Sequence, residues 1–241
     1  MALLEARDLS VRFGGLQAVD GVNLDVDAGE IVGLIGPNGA GKTTTFNALS
    51  GVQACSGSVT LDGVDVSREP VHKRAARGLS RTFQRLEVFG SMTVFDNVRT
   101  AAEISGRAAR RGIGDAAADA RAIVDRLGLV AVADQRADAL PTGQARLVEL
   151  GRALATRPAV ILLDEPASGL NETETLRLAQ VLVSVKEEGI GVLLVEHDMD
   201  LVMQLCSTIC ALNFGRLIVS GSPEEIRAHP AVQDAYLGST V

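Results

Sequence analysis

Residues 36–43 read Gly-Pro-Asn-Gly-Ala-Gly-Lys-Thr, a complete G-x-x-x-x-G-K-[ST] phosphate-binding loop. An apolar strand is predicted at Ile31–Ile35 and a helix at 42–49, so the loop has the strand and the helix that it requires. Its glycines let the backbone direct N–H groups at phosphate oxygens, and the helix N-terminus adds about half a positive charge. Lys42 is expected to reach the β- and γ-phosphates, and the Thr43 hydroxyl to ligate Mg²⁺. The expected nucleotide contacts in this segment are Gly36, Pro37, Asn38, Gly39, Ala40, Gly41, Lys42, Thr43 and Thr44.

Composition and charge limit the other classes of function. The chain has 241 residues, of which 46% are hydrophobic, enough for one large domain or a core with an inserted lobe. Its net charge of -7 argues against broad binding to a nucleic-acid backbone, which needs a basic face. No apolar run approaches the ~18 residues of a membrane-spanning helix, and residues 1–10 carry charges where a signal peptide is apolar. We therefore expect a cytoplasmic chain, with Cys55, Cys206 and Cys210 as reduced thiols.

Strands and helices alternate along the chain, which predicts an α/β fold around a mostly parallel sheet. Continuous apolar runs at 160–163 and 192–195 are typical of strands that are buried on both faces. Closer to the N-terminus, short strands separated by glycine turns predict a small antiparallel β-subdomain, from 3–13, 22–26 and 58–62.

The region 98–127 has polar and apolar residues at helical spacing, broken at Gly112 and Gly114. This pattern predicts a helical subdomain inserted into the nucleotide-binding core. Further along, 208–212 and 217–219 are predicted to pair as a hairpin.

Two carboxylates follow a buried strand where residues 160–165 read Val-Ile-Leu-Leu-Asp-Glu. In a doubly wound sheet this strand end lies beside the phosphate loop. Asp164 is therefore expected to help hold Mg²⁺, and Glu165 to accept a proton from the water that attacks the γ-phosphate. His197 follows the next apolar strand, so we expect it near the same phosphates in a polarising or water-positioning role.

These motifs fall in the order of an ABC-type ATPase, which the chain resembles over nearly its whole length. The resemblance is carried by 36–43, Gln84, Leu-Pro-Thr-Gly-Gln at 140–144, the strand with its carboxylates at 160–165, Ser-Gly-Leu-Asn at 168–171 and His197. Its most specific part is the Gly-Gln signature, because Gln144 stands 20 residues before Asp164. The resemblance implies an ATPase that binds ATP between two such chains, each phosphate loop facing the partner's signature helix.

The same resemblance assigns roles to individual residues. Phe13 matches the aromatic side chain that stacks on adenine, and Gln84 matches the residue that touches Mg²⁺ or the attacking water. Glu165 resembles the catalytic base and His197 the switch histidine that contacts the γ-phosphate, and Lys42 joins these three as a catalytic group. The Mg²⁺ ligands implied are Thr43, Gln84 and Asp164, and the signature contacts implied are Thr142, Gly143 and Gln144.

A single ABC ATPase domain over 1–241 is implied, with a nucleotide-binding core at 1–84 and 157–241 and a helical signature subdomain at 85–156. Residues 168–171 resemble the loop that crosses the interface between the two ATPases.

The signature departs from the family's usual Leu-Ser-Gly-Gly-Gln. Pro141 stands for the serine and Thr142 for the first glycine, so the hydroxyl that would touch the partner's γ-phosphate is missing. Proline is tolerated in the first turn of a helix, and the Gly143 N–H at the helix N-terminus can still offer an anion site. We expect the chain to complete its partner's ATP site weakly, with Thr142 as a substitute donor. Asn171 also stands where many relatives carry aspartate.

Within the family, the chain is similar to the ATPase subunits of branched-chain amino-acid importers. The likeness is carried by Ser-Arg-Thr-Phe-Gln at 80–84, Phe-Gly-Ser-Met-Thr-Val at 89–94, Ala-Ser-Gly-Leu-Asn at 167–171 and Ala-Tyr-Leu-Gly at 235–238. It implies an ATP-hydrolysing subunit at the cytoplasmic face of the membrane, partnered by a second ABC ATPase, two permeases and, indirectly, an extracytoplasmic solute-binding protein. An exporter ATPase, for instance one for lipid extraction, and a soluble ABC ATPase without a transport role stay open as alternatives.

Apolar residues cluster just after Gln84, at Leu86, Val88, Phe89 and Met92. Either they pack under the helical subdomain, or they form a groove for a short cytoplasmic helix of a membrane subunit with Phe89 as an anchor.

Overall fold

The computed structural model describes residues 2–108 and 116–237, which contain two sheets. The smaller sheet has four antiparallel strands, β1 (Ala2–Phe13), β2 (Leu16–Asp27), β4 (Ser56–Leu61) and β5 (Val64–Asp65), in the order β2-β1-β4-β5. This sheet is the antiparallel β-subdomain that the sequence predicts.

The larger sheet carries the candidate site. Its six strands are β3 (Ile31–Ile35), β6 (Leu79–Arg81), β7 (Val160–Asp164), β8 (Gly191–Val195), β9 (Thr208–Asn213) and β10 (Arg216–Gly221). Across the sheet their order is β10-β9-β3-β8-β7-β6. All neighbours pair in parallel except β10, which forms an antiparallel hairpin with β9 as predicted. The fold class is therefore confirmed as α/β with a mostly parallel sheet.

Helices connect these strands within the described residues. They are α1 (Lys42–Ser50), α2 (Val71–Ala76), α3 (Val94–Ala108), α4 (Ala116–Arg126), α5 (Thr142–Ala155), α6 (Glu172–Glu187), α7 (Met199–Leu205), α8 (Pro223–Ala228) and α9 (Pro230–Leu237). In the part of the chain that the structure describes, no helix has the length and apolar character needed to cross a membrane. Gly112, Gly114 and Gly238, which the sequence motifs include, lie outside the described residues.

The central strands divide the core into two layers because successive side chains of a strand point to opposite faces. In β3, Ile31 and Ile35 join a cluster with α3 to α7, whereas Val32 and Leu34 join a cluster with the antiparallel sheet and α1. The same alternation holds in β7 and β8. Burial on both faces explains why these strands are continuous apolar runs in the sequence.

Helix α1 lies between the two sheets and begins directly at the end of the phosphate loop. Its first turn has no side-chain cap, so its N–H groups remain directed at the loop. Its C-terminal end is closed by the buried Arg74 guanidinium, which donates to the carbonyls of Ala48 at 2.9 Å and Leu49 at 2.6 Å. The helix is therefore anchored at the end remote from the phosphates.

Two features of the sheet differ from what the sequence indicates. The three-residue strand β6 is too short to show a period, although it brings Gln84 to the sheet edge. In addition, β8 and not β7 is the neighbour of β3, so the strand that precedes His197 lies between the phosphate loop and Asp164.

Phe46 on α1 provides a test of this layer. Its side chain is fully buried, at 0% exposure, and Phe46→Ala should lower the free energy of unfolding by about 3–5 kcal/mol through the cavity that it leaves. Phe214→Ala is the matched control, because that ring is 85% exposed. Denaturant unfolding of both variants measures the difference, and equal stabilities would contradict this account of the core.

Candidate functional site

Loops from four neighbouring parallel strands meet at one edge of the larger sheet. The phosphate loop follows β3, His197 follows β8 after one residue, Glu165 follows β7, and Gln84 lies three residues after β6. The carboxyl ends of parallel strands are where α/β sheets bind ligands. The sequence-predicted groups therefore gather where that rule places a nucleotide.

The phosphate loop needs glycine at two of its positions. A Cβ on Gly36 would lie 2.3 Å from the Leu212 carbonyl oxygen, and one on Gly41, where φ is 106°, would lie 2.7 Å from the Ala18 carbonyl oxygen. The loop is thus held against β9 and β2 by contacts that exclude any side chain. Asn38 and Thr43 are exposed, and Ala40 is buried.

Lys42 binds the loop's own backbone in this structure. Its ammonium donates to the carbonyls of Gly36 at 2.6 Å and Pro37 at 3.2 Å. Burial lowers the pKa of Lys42, while the charges of Glu165 and Asp164 act in the opposite direction. The lysine is therefore a partly desolvated cation next to two carboxylates.

Glu165 lies at the centre of the predicted catalytic group. Its Oε1 lies 2.8 Å from His197 Nε2, and the Gln84 amide donates to both carboxylate oxygens at 3.4 Å. The backbone of Glu165 has φ +52°, an unusual conformation for a residue other than glycine, and its N–H donates to the Val195 carbonyl at 2.9 Å. The structure thus brings Glu165, His197 and Gln84 together, as the sequence predicts.

Asp164 is more deeply buried than its position at the end of a strand would indicate. It is the last residue of β7 and only 1% exposed, and Arg81 of β6 donates to its Oδ2 at 3.4 Å. Burial raises the pKa of Asp164 and the Arg81 charge opposes that rise. Arg81 also donates to Asn47 Oδ1 at 2.6 Å, which ties β6 and β7 to helix α1.

The signature residues contact the loop that follows β7. Pro141 is the residue just before α5 and supplies no side-chain cap. Thr142 lies against Gly169, since a Cβ there would be 3.2 Å from Thr142 Cγ2. Gly143 lies against the Glu174 carboxylate, since a Cβ there would be 2.2 Å from Glu174 Oε2. Gln144 is half-buried in the first turn of the same helix.

Phe13 lies at the end of β1 beside the turn to β2 and is exposed. Thr44 follows Thr43 in the first turn of α1 and is half-buried.

Helix α5 also holds the backbone on either side of Gln84, a contact that the sequence analysis missed. Arg146 donates to the carbonyls of Phe83, at 3.0 Å, and Gln84, and the Phe83 N–H donates to Glu149 Oε1 at 3.2 Å. Burial raises the pKa of Glu149, and the Phe83 N–H opposes that rise. The signature helix is therefore bonded to the segment that brings Gln84 to Glu165.

The sequence thus did not indicate the site contacts of Arg81, Arg146 and Glu149, nor that Glu196, directly before His197, is buried at the same edge. One signal was available for Arg81 and Glu196, which are charged residues at the end of a strand or directly after one. Arg146 and Glu149 are spaced three apart, which in a helix places them on one face. Neither pattern indicates which group each charged side chain bonds to.

Comparison with known proteins agrees with this geometry. The sequence model of the ABC transporter family matches residues 19–168, and that of the branched-chain amino acid ATP-binding cassette transporters matches 216–241. The chain is 41% identical to the high-affinity branched-chain amino acid transport ATP-binding protein BraF of Pseudomonas aeruginosa, over 98% of both chains. It is 34% identical to the lipopolysaccharide export system ATP-binding protein LptB of Escherichia coli, over 99% and 98% of the two chains.

A solved structure shows the same architecture. The ADP conformation of MJ1267, an ATP-binding cassette of an ABC transporter, superposes with a TM-score of 0.86 at 28% identity and 99% coverage of both chains. Fold, motif order and sequence similarity agree across nearly the whole length. The chain belongs to the ABC transporter family, as one of its ATP-binding cassettes.

Proposed function

We propose that this chain is the ATP-hydrolysing subunit of an importer for branched-chain or related amino acids, bound to the cytoplasmic face of a membrane through partner permeases. The observation that carries the hydrolytic part is the contact of the Glu165 carboxylate with both His197 and Gln84 beside the phosphate loop. The import part is supported by the 41% identity to BraF and by the second family match at 216–241.

The nucleotide would be bound by groups that already face the loop. Its phosphates would accept from backbone N–H groups of the loop, of which Pro37 has none, and Lys42 would exchange its bonds to the Gly36 and Pro37 carbonyls for phosphate oxygens. Phe13 offers an exposed ring for stacking on adenine. At the other end, Thr142, Gly143 and Gln144 would complete the phosphate site of a partner ATPase.

The residues near the phosphates fit a Mg²⁺ site, because hydroxyl, amide and carboxylate oxygens are the ligands that this ion takes. Thr43 and Gln84 are exposed and would hold the ion, with Asp164 as the supporting carboxylate next to Arg81. When bound, Mg²⁺ neutralises charge on the β- and γ-phosphate oxygens.

Proton transfer is assigned to Glu165. A water in line with the γ-phosphate would give its proton to this carboxylate, which His197 and Gln84 orient. His197 is half exposed, so its ring can also contact the γ-phosphate. Lys42 would stabilise the charge that develops on the transferred group.

The proposed roles divide the chain into two structural parts. We propose a nucleotide-binding core at 1–84 and 157–241 and a helical signature subdomain at 85–156. Gln84 stands at the junction, with its side chain on Glu165 and its backbone carbonyl bonded to Arg146 of α5. A shift of the helical subdomain relative to the core would therefore displace Gln84 from Glu165.

A cavity of about 680 Å³ beside α3 and α5 is the proposed seat for a permease helix. Phe83, Phe89 and Ile104 line it and are all exposed, so they can bury apolar surface against a partner. Val88 instead packs against the helical core. Of the four apolar residues that the sequence places after Gln84, Phe89 is the one that lines this cavity, whereas Leu86, Val88 and Met92 do not, so the proposed groove rests on Phe89.

Phe89 is bonded through its backbone and stacked through its ring in that cavity. The buried Asn97 accepts from the Phe89 N–H at 2.8 Å and donates to its carbonyl at 3.0 Å, and the Arg152 guanidinium stacks on the ring at 4.2 Å. A fixed, partly exposed aromatic ring in a pocket is the arrangement of an interface anchor. Closure of two ATPases would move two such cavities together and so pass the effect of ATP binding to the permeases.

An exporter ATPase is the second candidate function, favoured by the 34% identity to LptB. Purification from native membranes in mild detergent, followed by mass spectrometry, tests both. Two multi-spanning permeases and a second ATPase would support a transporter, and ATPase stimulation of that complex by a solute-loaded binding protein would support import. Only soluble partners, or none, would favour an ABC ATPase without a transport role.

Glu165→Gln should leave ATP binding intact, lower turnover by about 10²–10⁴-fold and trap a closed dimer, because the amide cannot accept the proton. Phosphate release and size-exclusion chromatography with ATP measure these effects. Glu187→Gln, an exposed residue in the last turn of α6, controls for the loss of one charge. Hydrolysis by Glu165→Gln at the parent rate would show that the catalytic assignment is wrong.

Pro141→Ser should raise ATP turnover by about tenfold or more, since one hydrogen bond to a charged group contributes about 1.5–3 kcal/mol. The serine would restore the hydroxyl that usually faces the partner's γ-phosphate. Pro141→Ala is the matched control, because it removes the ring without adding a hydroxyl. Steady-state ATPase rates measure the effect. Equal rates for the two variants would show that the missing hydroxyl does not limit activity.

Phe89→Ala should weaken permease binding by roughly 30-fold, the effect of losing about 2 kcal/mol at an interface anchor. Phe214→Ala removes an exposed ring elsewhere and should not affect recovery. Quantitative co-purification measures both, with thermal unfolding as the check that each variant is folded. Full recovery of the permeases with Phe89→Ala would rule out this cavity as their seat.

A further inference from the structure

Glu196 is a buried carboxylate between β8 and His197 that neither the phosphate chemistry nor the permease contact uses. It is 5% exposed. Its Oε1 accepts from the Ala167 N–H at 2.6 Å, and its Oε2 accepts from the His197 N–H at 3.0 Å. Burial raises the pKa of Glu196, and these backbone donors oppose the rise. The two oxygens of one carboxylate thus hold two separate segments.

The segment that Ala167 begins leads to the signature. It continues through Gly169, against which Thr142 packs, and ends at Asn171, whose N–H donates to Glu174 Oε2 at 2.9 Å. The same Glu174 carboxylate lies against Gly143. A continuous set of contacts therefore joins His197 to the N-terminus of α5 within one chain.

We propose that Glu196 is a positioning residue that fixes His197 and the loop at 167–171 relative to each other, and so links the hydrolytic site of this chain to the signature residues that it offers to its partner's nucleotide. The proposal rests on the proposed function, in which two such cassettes share each nucleotide.

A carboxylate is required at this position for a chemical reason. Both of its oxygens accept, whereas a glutamine amide has one oxygen and one NH₂ group, and the NH₂ group cannot accept from a backbone N–H. Glu196→Gln therefore keeps the size of the side chain but loses either the bond to Ala167 or the bond to His197. Burying an ionised carboxylate disfavours folding unless it is hydrogen-bonded, and here each oxygen of Glu196 accepts from a backbone N–H.

The test compares Glu196→Gln with the exposed Glu187→Gln in ATPase kinetics and in amide hydrogen exchange. We expect kcat of Glu196→Gln to fall about tenfold or more with KM changed less than twofold, since a hydrogen bond to a charged group contributes that much. Peptides over 167–171 or over 196–198, according to which bond is lost, should exchange faster together with the first turn of α5, and Glu187→Gln should match the parent. Glu196→Asp keeps both acceptors and should recover part of kcat.

Two results would overturn the proposal. One is a parent-like kcat for Glu196→Gln. The other is faster exchange confined to 167–171, together with a fall in kcat/KM no larger than the loss of folded protein measured by thermal unfolding. In that case the carboxylate only caps the local backbone. The proposed function itself fails separately, if the parent does not hydrolyse ATP or if Glu165→Gln hydrolyses it at the parent rate.

Discussion

The register of the parallel strands β7 and β8 is the constraint on which the site depends. Asp164 pairs with Val195, so the residues that follow each strand leave the sheet at the same level. The Glu165 N–H still bonds to the Val195 carbonyl, and this bond keeps the turn at φ +52° beside His197. A slip of one residue would move Glu165 to the other face and separate it from the histidine. Tight packing of apolar side chains on both faces of these strands opposes such a slip.

Several partly buried charged side chains connect the loops at this edge of the sheet. Arg81 joins Asp164 to helix α1, Glu149 and Arg146 hold the segment at Gln84, and Glu196 holds the loop after β7. Desolvation lowers the pKa of Arg81 and raises that of Glu196. Such groups contribute little net stability and can lower it. Their arrangement is better explained by the need to hold loops from different strands in fixed positions.

The sequence predicted most of the fold because the signals for it are local. The strand before Gly36, the carboxylates after β7 and the hairpin around Gly215 each depend on a few consecutive residues, and the structure has all three. Strand order could not be predicted, since it depends on which strands pair across long separations. For the same reason, motif positions predicted that Glu165, His197 and Gln84 meet, but not that Glu196 bonds to Ala167. The partner of a buried charge is a property of the folded chain, and no spacing in this sequence indicates it.

The bonds of Lys42 to the carbonyls of Gly36 and Pro37 have a consequence for nucleotide exchange. A phosphate that arrives meets a lysine that already has partners, so it gains only the difference between the new bonds and the old ones. The same carbonyls are available to the lysine again when product leaves. The carbonyls of Gly36 and Pro37 would therefore compete with phosphate oxygens for the Lys42 ammonium, and this competition would lower the net affinity of the loop for phosphate.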